Sequence, residues 1–220
     1  MERLHFYFDY ISHNAYLAWH KLPALAQRHG LQLTPVPVLF GAMLSHYKQV
    51  GPAEVPAKSR WMLRNVIRKA RIHRIPIAPP ASHPFNPLLP LRVSCADMTD
   101  AQRYELTGRM FRAVWAESRP LAETSVVQEV LREQGLDADA LLAAAQTDAV
   151  KQRLRQNTQD ALDLGVFGVP TMRVRDELFW GFDDLEYLEM VLSGGDPLSP
   201  SRAELEPWQN VRPSIERRRP

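Results

Sequence analysis

Strand-type patterning stands only at the two ends of this chain, and the long middle reads as helix. Residues 3–9, RLHFYFD, alternate and are rich in aromatics, which predicts a strand. YISHN follows as a loop, then residues 15–30 carry apolar side chains at helical spacing, with Gly30 placed to cap them. Residues 31–39, LQLTPVPVL, read as a second strand; Pro35 and Pro37 suit an edge. A helical connection of that length makes the two strands parallel. After Gly165 the pattern returns: VFGVPTMRV is a loop entering a strand, ELFWG is a second short strand, and Asp176-Glu177 is the turn of an antiparallel hairpin. DDLEYLEMVLSG is the closing helix. The order is therefore βαβ, a helical block, then ββα, in one mixed α/β sheet.

The middle is read as an irregular segment at 41–57, a helix from Lys58 to His73, an ordered proline-dense loop at 75–90, and helices over 97–117 and 123–134. Two more follow, the first capped by Asp137 or Asp139 and the second by Thr147 or Asp148. The division expected is 1–40 with 164–195 as one unit, 41–163 as a helical insertion, and 196–220 as a proline-rich tail. No internal repeat is visible.

Composition removes several function classes. The formal charge of +2 is too small to argue for nucleic acid, and the arginine run at 217–219 reads as a solvated tail. The first residues lack a basic stretch followed by an apolar run, and the longest apolar stretches fall short of a bilayer, so the cytoplasm is the expected location. Cys95 is the only cysteine, so neither an intrachain disulfide nor a CxxC redox pair exists; it reads as a small buried hydrophobe in a helix. No HxxxH or HExxH spacing offers a metal site.

Three motifs carry a resemblance: FYFDYISHNAYLA at 6–18, GVFGVPTMRV at 165–174 and LFWGFDDLEYLEMVL at 178–192. In this order they resemble the 2-hydroxychromene-2-carboxylate isomerase and kappa-class glutathione transferase family over about residues 4–193. HPFNPLLPLR at 83–92 and MFRAVWAE at 110–117 are similar to the isomerase branch. The resemblance implies a thioredoxin-like sheet with a large helical insertion in the DsbA manner, glutathione as the cofactor, a homodimer, and a small aromatic keto-acid as substrate. It places the family's serine on Ser12, with His13 and Asn14 beside it, where a redox enzyme would carry cysteine. The family's Ser-Pro-aromatic-Ser loop is Ser12-His13-Asn14-Ala15 here, and its asparagine contact falls at Gln49. The backbone contact before a cis-proline falls on Val169, with Pro170 the proline. The γ-glutamyl contact falls on Phe182-Asp183, followed by Asp184 where arginine is usual.

These residue types suit thiol chemistry. A hydroxyl at Ser12 can donate to a thiolate, and a helix N-terminus attracts an anion. Ser12 equally suits a plain helix N-cap. A cis bond at Val169–Pro170 would turn the preceding N–H and C=O outward for a bound peptide; a trans turn proline is the other reading. Asp183 reads as an ammonium contact or as a first-turn acid, and His13 as an acid–base group or a polar loop residue. Lys58 stands where a cation could meet a substrate carboxylate. Trp61, Phe111 and Trp115 read as core or pocket wall.

The expected function is a glutathione-dependent isomerase. Thiolate adds to a conjugated keto-acid, the C–C bond rotates, and the thiol leaves. The alternatives are a kappa-like transferase that conjugates electrophiles, and a non-catalytic protein that has kept the fold. A single cysteine excludes a dithiol oxidoreductase.

Overall fold

A computed structural model describes residues 1–199 and 201–214; the arginine run at 217–219 lies outside the described residues. Four strands form one sheet in the order β2-β1-β3-β4: β1 (Arg3–Phe8), β2 (Gln32–Pro37), β3 (Thr171–Val174) and β4 (Glu177–Trp180). β1 and β2 run parallel, in register from Arg3 opposite Gln32 to Phe8 opposite Pro37. β3 is antiparallel to both β1 and β4. Pro35 and Pro37 therefore stand on an edge strand, where a missing donor costs least.

The βα connection is two helices, α1 (His13–Trp19) and α2 (Leu22–Arg28), where the periodicity predicts one. Pro23 has no N–H to give the Trp19 carbonyl, so the ladder breaks at His20-Lys21 and restarts with proline in its first turn. Gly30 ends the pair at φ +64°, and Leu31 N–H donates to Ala26 O at 2.9 Å.

All regular structure between β2 and β3 is helical. The first helix, α3 (Phe40–His46), lies in the stretch read as irregular. Its entry has no local cap. Leu39 N–H donates to Thr158 Oγ1 and Phe40 N–H to Asp9 Oδ2, both at 3.0 Å, so the donors that a helix start leaves over are met from distant parts of the chain. A single 3-10 turn at Pro52–Glu54 leads to α4 (Pro56–Ile72). α5 (Leu88–Cys95) reaches three residues back into the proline-dense stretch. Asn86 Oδ1 accepts Leu88 N–H at 3.0 Å, and Pro90 sits where no intrahelical donor is needed. α6 (Asp100–Trp115) and α7 (Thr124–Glu133) follow. α8 (Ala138–Ala144) is capped by Asp137 and α9 (Asp148–Asp163) by Thr147. α10 (Leu185–Leu192) closes the sheet unit. The segment read as a tail holds a 3-10 turn at Ala203–Leu205 and α11 (Glu206–Gln209), and Arg202 ties it to Glu177 of β4 at 2.5 Å.

The sheet is covered on both faces. Leu4, Phe6 and Phe8 point one way and are fully buried, with the Phe6 and Phe8 rings against Phe111 of α6 and Phe6 against Trp19 of α1. Tyr7 points the other way, into a smaller cluster with Val38, Met43, Ala161 and Val166. Each such ring contributes on the order of 1.5–3 kcal/mol by leaving water. Trp115 Nε1 donates to Tyr10 O at 2.9 Å, which pins the chain just after β1 onto α6.

Candidate functional site

β1 is followed by Asp9, a fully buried carboxylate. Its two oxygens accept Ile11 N–H at 3.1 Å and Phe40 N–H at 3.0 Å, which joins the loop after β1 to the start of α3. Burial pushes its pKa up to about 7 against the pull of those two donors. Among the described residues no cation pairs with it.

Ser12 follows in extended geometry and is the N-cap of α1. Its Oγ accepts Ala15 N–H at 3.2 Å, the N-cap bond, and donates to Val169 O at 3.4 Å. The second bond is long for a hydroxyl donor, so its proton is easily redirected to a better acceptor. Ser12 O takes Tyr16 N–H, and Ser12 N–H goes to Asp9 O. The N–H groups of His13 and Asn14 meet no acceptor among the described residues. α1 is only seven residues long, so these free donors, not a long helix dipole, are what the loop offers an anion.

Across from Ser12, the Val169–Pro170 peptide is cis, as is His83–Pro84. Val169 O faces Ser12, and Val169 N–H meets no acceptor among the described residues.

These groups open on a cavity of about 830 Å³. Ser12, His13, Asn14, Gln49, Lys58 and Val169, six of the site residues anticipated from sequence, line it. Pro170, Phe182 and Asp183 do not. Phe182 is buried against His73, with Lys69 Nζ 5.4 Å from its ring centre. Asp183 is exposed and holds Lys69 Nζ at 2.7 Å. Asp184 accepts Trp180 N–H at 2.8 Å. Phe111 and Trp115 are core, while Trp61 is 63% exposed and lines the cavity.

His13 is held neutral. Burial, then the nearby charges of His83 and Lys69, pull it down to about 4. Its Nδ1 and the Oδ1 of Asn14 are buried and meet no hydrogen-bond partner among the described residues. His83 contacts Ile11 O through Nε2 at 3.0 Å, and both imidazoles pack edge-on against Trp115. Burial pushes the Cys95 thiol up to about 12, at the end of α5 and outside the cavity wall.

Sequence reasoning passed over Asp9, His83, Phe167 and Trp180. Asp9 had a signal: a lone charge inside the aromatic run FYFDY. The other three are brought to the cavity by tertiary contacts alone.

A loose hydroxyl, free backbone donors and unpaired polar atoms around one cavity suit a ligand that carries a thiol on a peptide backbone. Comparison with known proteins agrees with the architecture. A family model described as DSBA-like thioredoxin domain matches residues 3–193. The chain is 30% identical over 197 residues to a 2-hydroxychromene-2-carboxylate isomerase of Sphingobium xenophagum, covering 85% of this chain and 96% of that protein. It is 27% identical over 183 residues to glutathione S-transferase kappa 2 of Caenorhabditis elegans, covering 78% of this chain and 80% of that one. The solved structure of a selenomethionine 2-hydroxychromene-2-carboxylate isomerase superposes with a TM-score of 0.80 at 26% identity, over 95% of this chain and 99% of the other.

Proposed function

Since this chain belongs to the DSBA-like thioredoxin domain family and stands beside the 2-hydroxychromene-2-carboxylate isomerases within it, we propose that it is a glutathione-dependent isomerase of an aromatic keto-acid of that type. One observation carries the reading. Ser12 and Val169, whose N–H meets no acceptor among the described residues, both line the cavity, while the chain's only thiol is buried elsewhere and held protonated. Thiol chemistry at this cavity would need a sulfur from outside the chain.

When bound, glutathione supplies a thiolate that adds reversibly to a conjugated double bond, so that rotation and loss of the thiol give the isomer. Ser12 turns its hydroxyl from Val169 O to the sulfur and holds it as the anion. A hydrogen bond to a charged acceptor is worth about 1.5–3 kcal/mol. The free N–H groups of His13 and Asn14 add to the same field. Val169 pairs with the peptide backbone of the cofactor, and Gln49 and Asn14 offer amide groups beside it. Lys58 takes the substrate carboxylate. His13, neutral near pH 7, serves as a hydrogen-bonding group and not as a cation. Asp183 trades the Lys69 ammonium for that of the γ-glutamyl end, beside Phe182 and after Pro170. In this reading the unit 1–40 with 164–195 holds the thiol, the helices of 41–163 supply the substrate wall, and two copies of the chain pair in the cytoplasm. Among the described residues no helix is long and apolar enough to cross a membrane.

The test is turnover of 2-hydroxychromene-2-carboxylate with and without glutathione. Dependence on glutathione is expected; equal rates in both, or none in either, overturns the proposal. A stable conjugate with regeneration absent would make the chain a transferase. Ser12→Ala should lower kcat about ten- to a hundredfold, the rate equivalent of that hydrogen bond. Losing the N-cap should cost about 1 kcal/mol of stability, which leaves the variant folded.

A further inference from the structure

Two aromatic rings that the proposed mechanism leaves idle stand open in the cavity wall: Phe167, 41% exposed, and Trp180, 51% exposed. They form a pair. Their ring centres lie 5.1 Å apart with planes tilted by 52°. Gly168 makes this pair possible. A Cβ there would stand 2.7 Å from Trp180 Nε1 and 3.4 Å from its Cε2, so the indole lies directly on the Gly168 backbone. β4 sets Trp180 opposite Thr171, and the hairpin thereby holds the ring beside the segment 167–169.

The place matters as much as the rings. Val169 follows Gly168 in the chain and meets Ser12 Oγ at 3.4 Å, so the pair begins next to the groups that would hold a sulfur. Elsewhere in the wall, Lys58 and Trp61 stand three residues apart on α4, hence on one face of the helix, and both line the cavity. Among the described residues Lys58 has no carboxylate within ion-pair distance. A flat apolar face, a second exposed ring and one spare cation suit a planar ring that bears a carboxylate.

We propose that the Phe167–Trp180 pair is the seat of the second substrate, a planar conjugated carboxylate whose ring stacks on the indole with its reactive double bond toward Val169 and its carboxylate toward Lys58. This deepens the isomerase reading and rests on it for the position of the sulfur. No bond is made at this seat. Its contribution is placement of the electrophile against a thiol held by other residues.

Calorimetry on the full chain saturated with glutathione tests it, with 2-naphthoate as probe: planar, carboxylated and inert to thiols. Trp180→Ala should weaken the probe at least fivefold and Trp180→Phe should restore it to within twofold of the parent. Gly168→Ala, which pushes the indole off its bed, should weaken it as Trp180→Ala does. Glutathione affinity should stay within twofold throughout. The proposal is overturned if the parent does not bind the probe, if Trp180→Ala binds it within twofold of the parent, if Trp180→Phe is as weak as Trp180→Ala, or if glutathione weakens in parallel. Absent turnover with this binding pattern intact would sink the isomerase reading and leave the seat standing.

Discussion

The loop-and-helix floor after β1 and the helix α4 line the same cavity, yet they are held in unlike ways. In α1 every residue from Ala15 to Trp19 is buried. In α4, more than twice as long, only Val66 and Ala70 are. The floor is packed against Phe8, Phe111 and Trp115 and tied by Asp9 and Ser12. The outer face of α4 shows solvent Arg60, Leu63, Arg64, Ile67, Arg68 and Arg71, and among the described residues none of these arginines is ion-paired. The difference assigns the tasks. On the proposed function, the groups that would hold a sulfur within tenths of an ångström stand on the part of the fold that cannot move without breaking the core, while the wall that would meet substrate stands on the part that can adjust.

The comparison breaks most visibly in stability. Phe8→Ala, in the core on which the floor rests, should cost about 3–5 kcal/mol, the range for a large buried ring. Leu63→Ala, on α4 and 60% exposed, should stay within about 0.5 kcal/mol, the range for a surface site. Urea unfolding of both, read by m and midpoint, decides. A loss above about 1 kcal/mol for Leu63→Ala would mean that the α4 face is covered in solution, and the two walls would no longer contrast.

Much of the floor is legible in the sequence because its determinants are local. FYFDY alternates, Ser12 stands one residue before a helix, and Gly30 acts within a turn of itself; the break at Pro23, which the periodicity reads through, divides the expected helix in two. The hairpin is likewise local, though its turn is Arg175-Asp176, one residue before the expected Asp176-Glu177, and so are the caps Asp137 and Thr147. α3 is illegible for the opposite reason: its first donors are met by Asp9 and Thr158, which lie 31 and 119 residues away. The Phe167–Trp180 pair is hidden in the same way. Neither residue signals a contact until β4 folds back on Gly168. Asp183 shows the limit of motif transfer, because its neighbour Lys69 comes from α4 and no pattern around GFDD announces it.

Asp9 sits at the joint between the two walls and gives a somewhat smaller effect, with a defined pH window. Its carboxyl moves from an ordinary 3.8 to about 7 on folding. Between those values the folded chain binds more proton than the unfolded one, so this group's stabilisation is complete below about pH 4 and is lost as pH rises through 7. Three units at 1.36 kcal/mol each set the full swing at about 4 kcal/mol, an upper figure. Glu117, Glu133 and Glu189, held low by arginines, slope the other way and further down in pH. The measurement is therefore the difference between parent and Asp9→Asn in urea unfolding from pH 4.5 to 7.5. The parent should lose ground against the variant by about 2–3 kcal/mol over that range. A flat difference would mean that Asp9 stays ionised, and the joint would be a permanent tether and not a titrating one.

The smallest effect belongs to the rim, at Asp183. Its side chain is 76% exposed and already carries Lys69 at 2.7 Å. Swapping one ammonium for another on an exposed carboxylate gains little, because water and salt screen both pairs. Asp183→Asn should therefore raise the glutathione KM by less than about fivefold, the equivalent of about 1 kcal/mol for an exposed pair. It should leave kcat unchanged, and the rise should shrink further in high salt. Ser12→Ala should do the reverse, lowering kcat and sparing KM, since on the proposed function Ser12 acts on the charge that develops at sulfur. A glutathione KM raised more than tenfold by Asp183→Asn, and insensitive to salt, would show the carboxylate desolvated when ligand binds. The start of α10 would then close over the cofactor, and the rigid floor would extend from Ser12 through Val169 to Asp183.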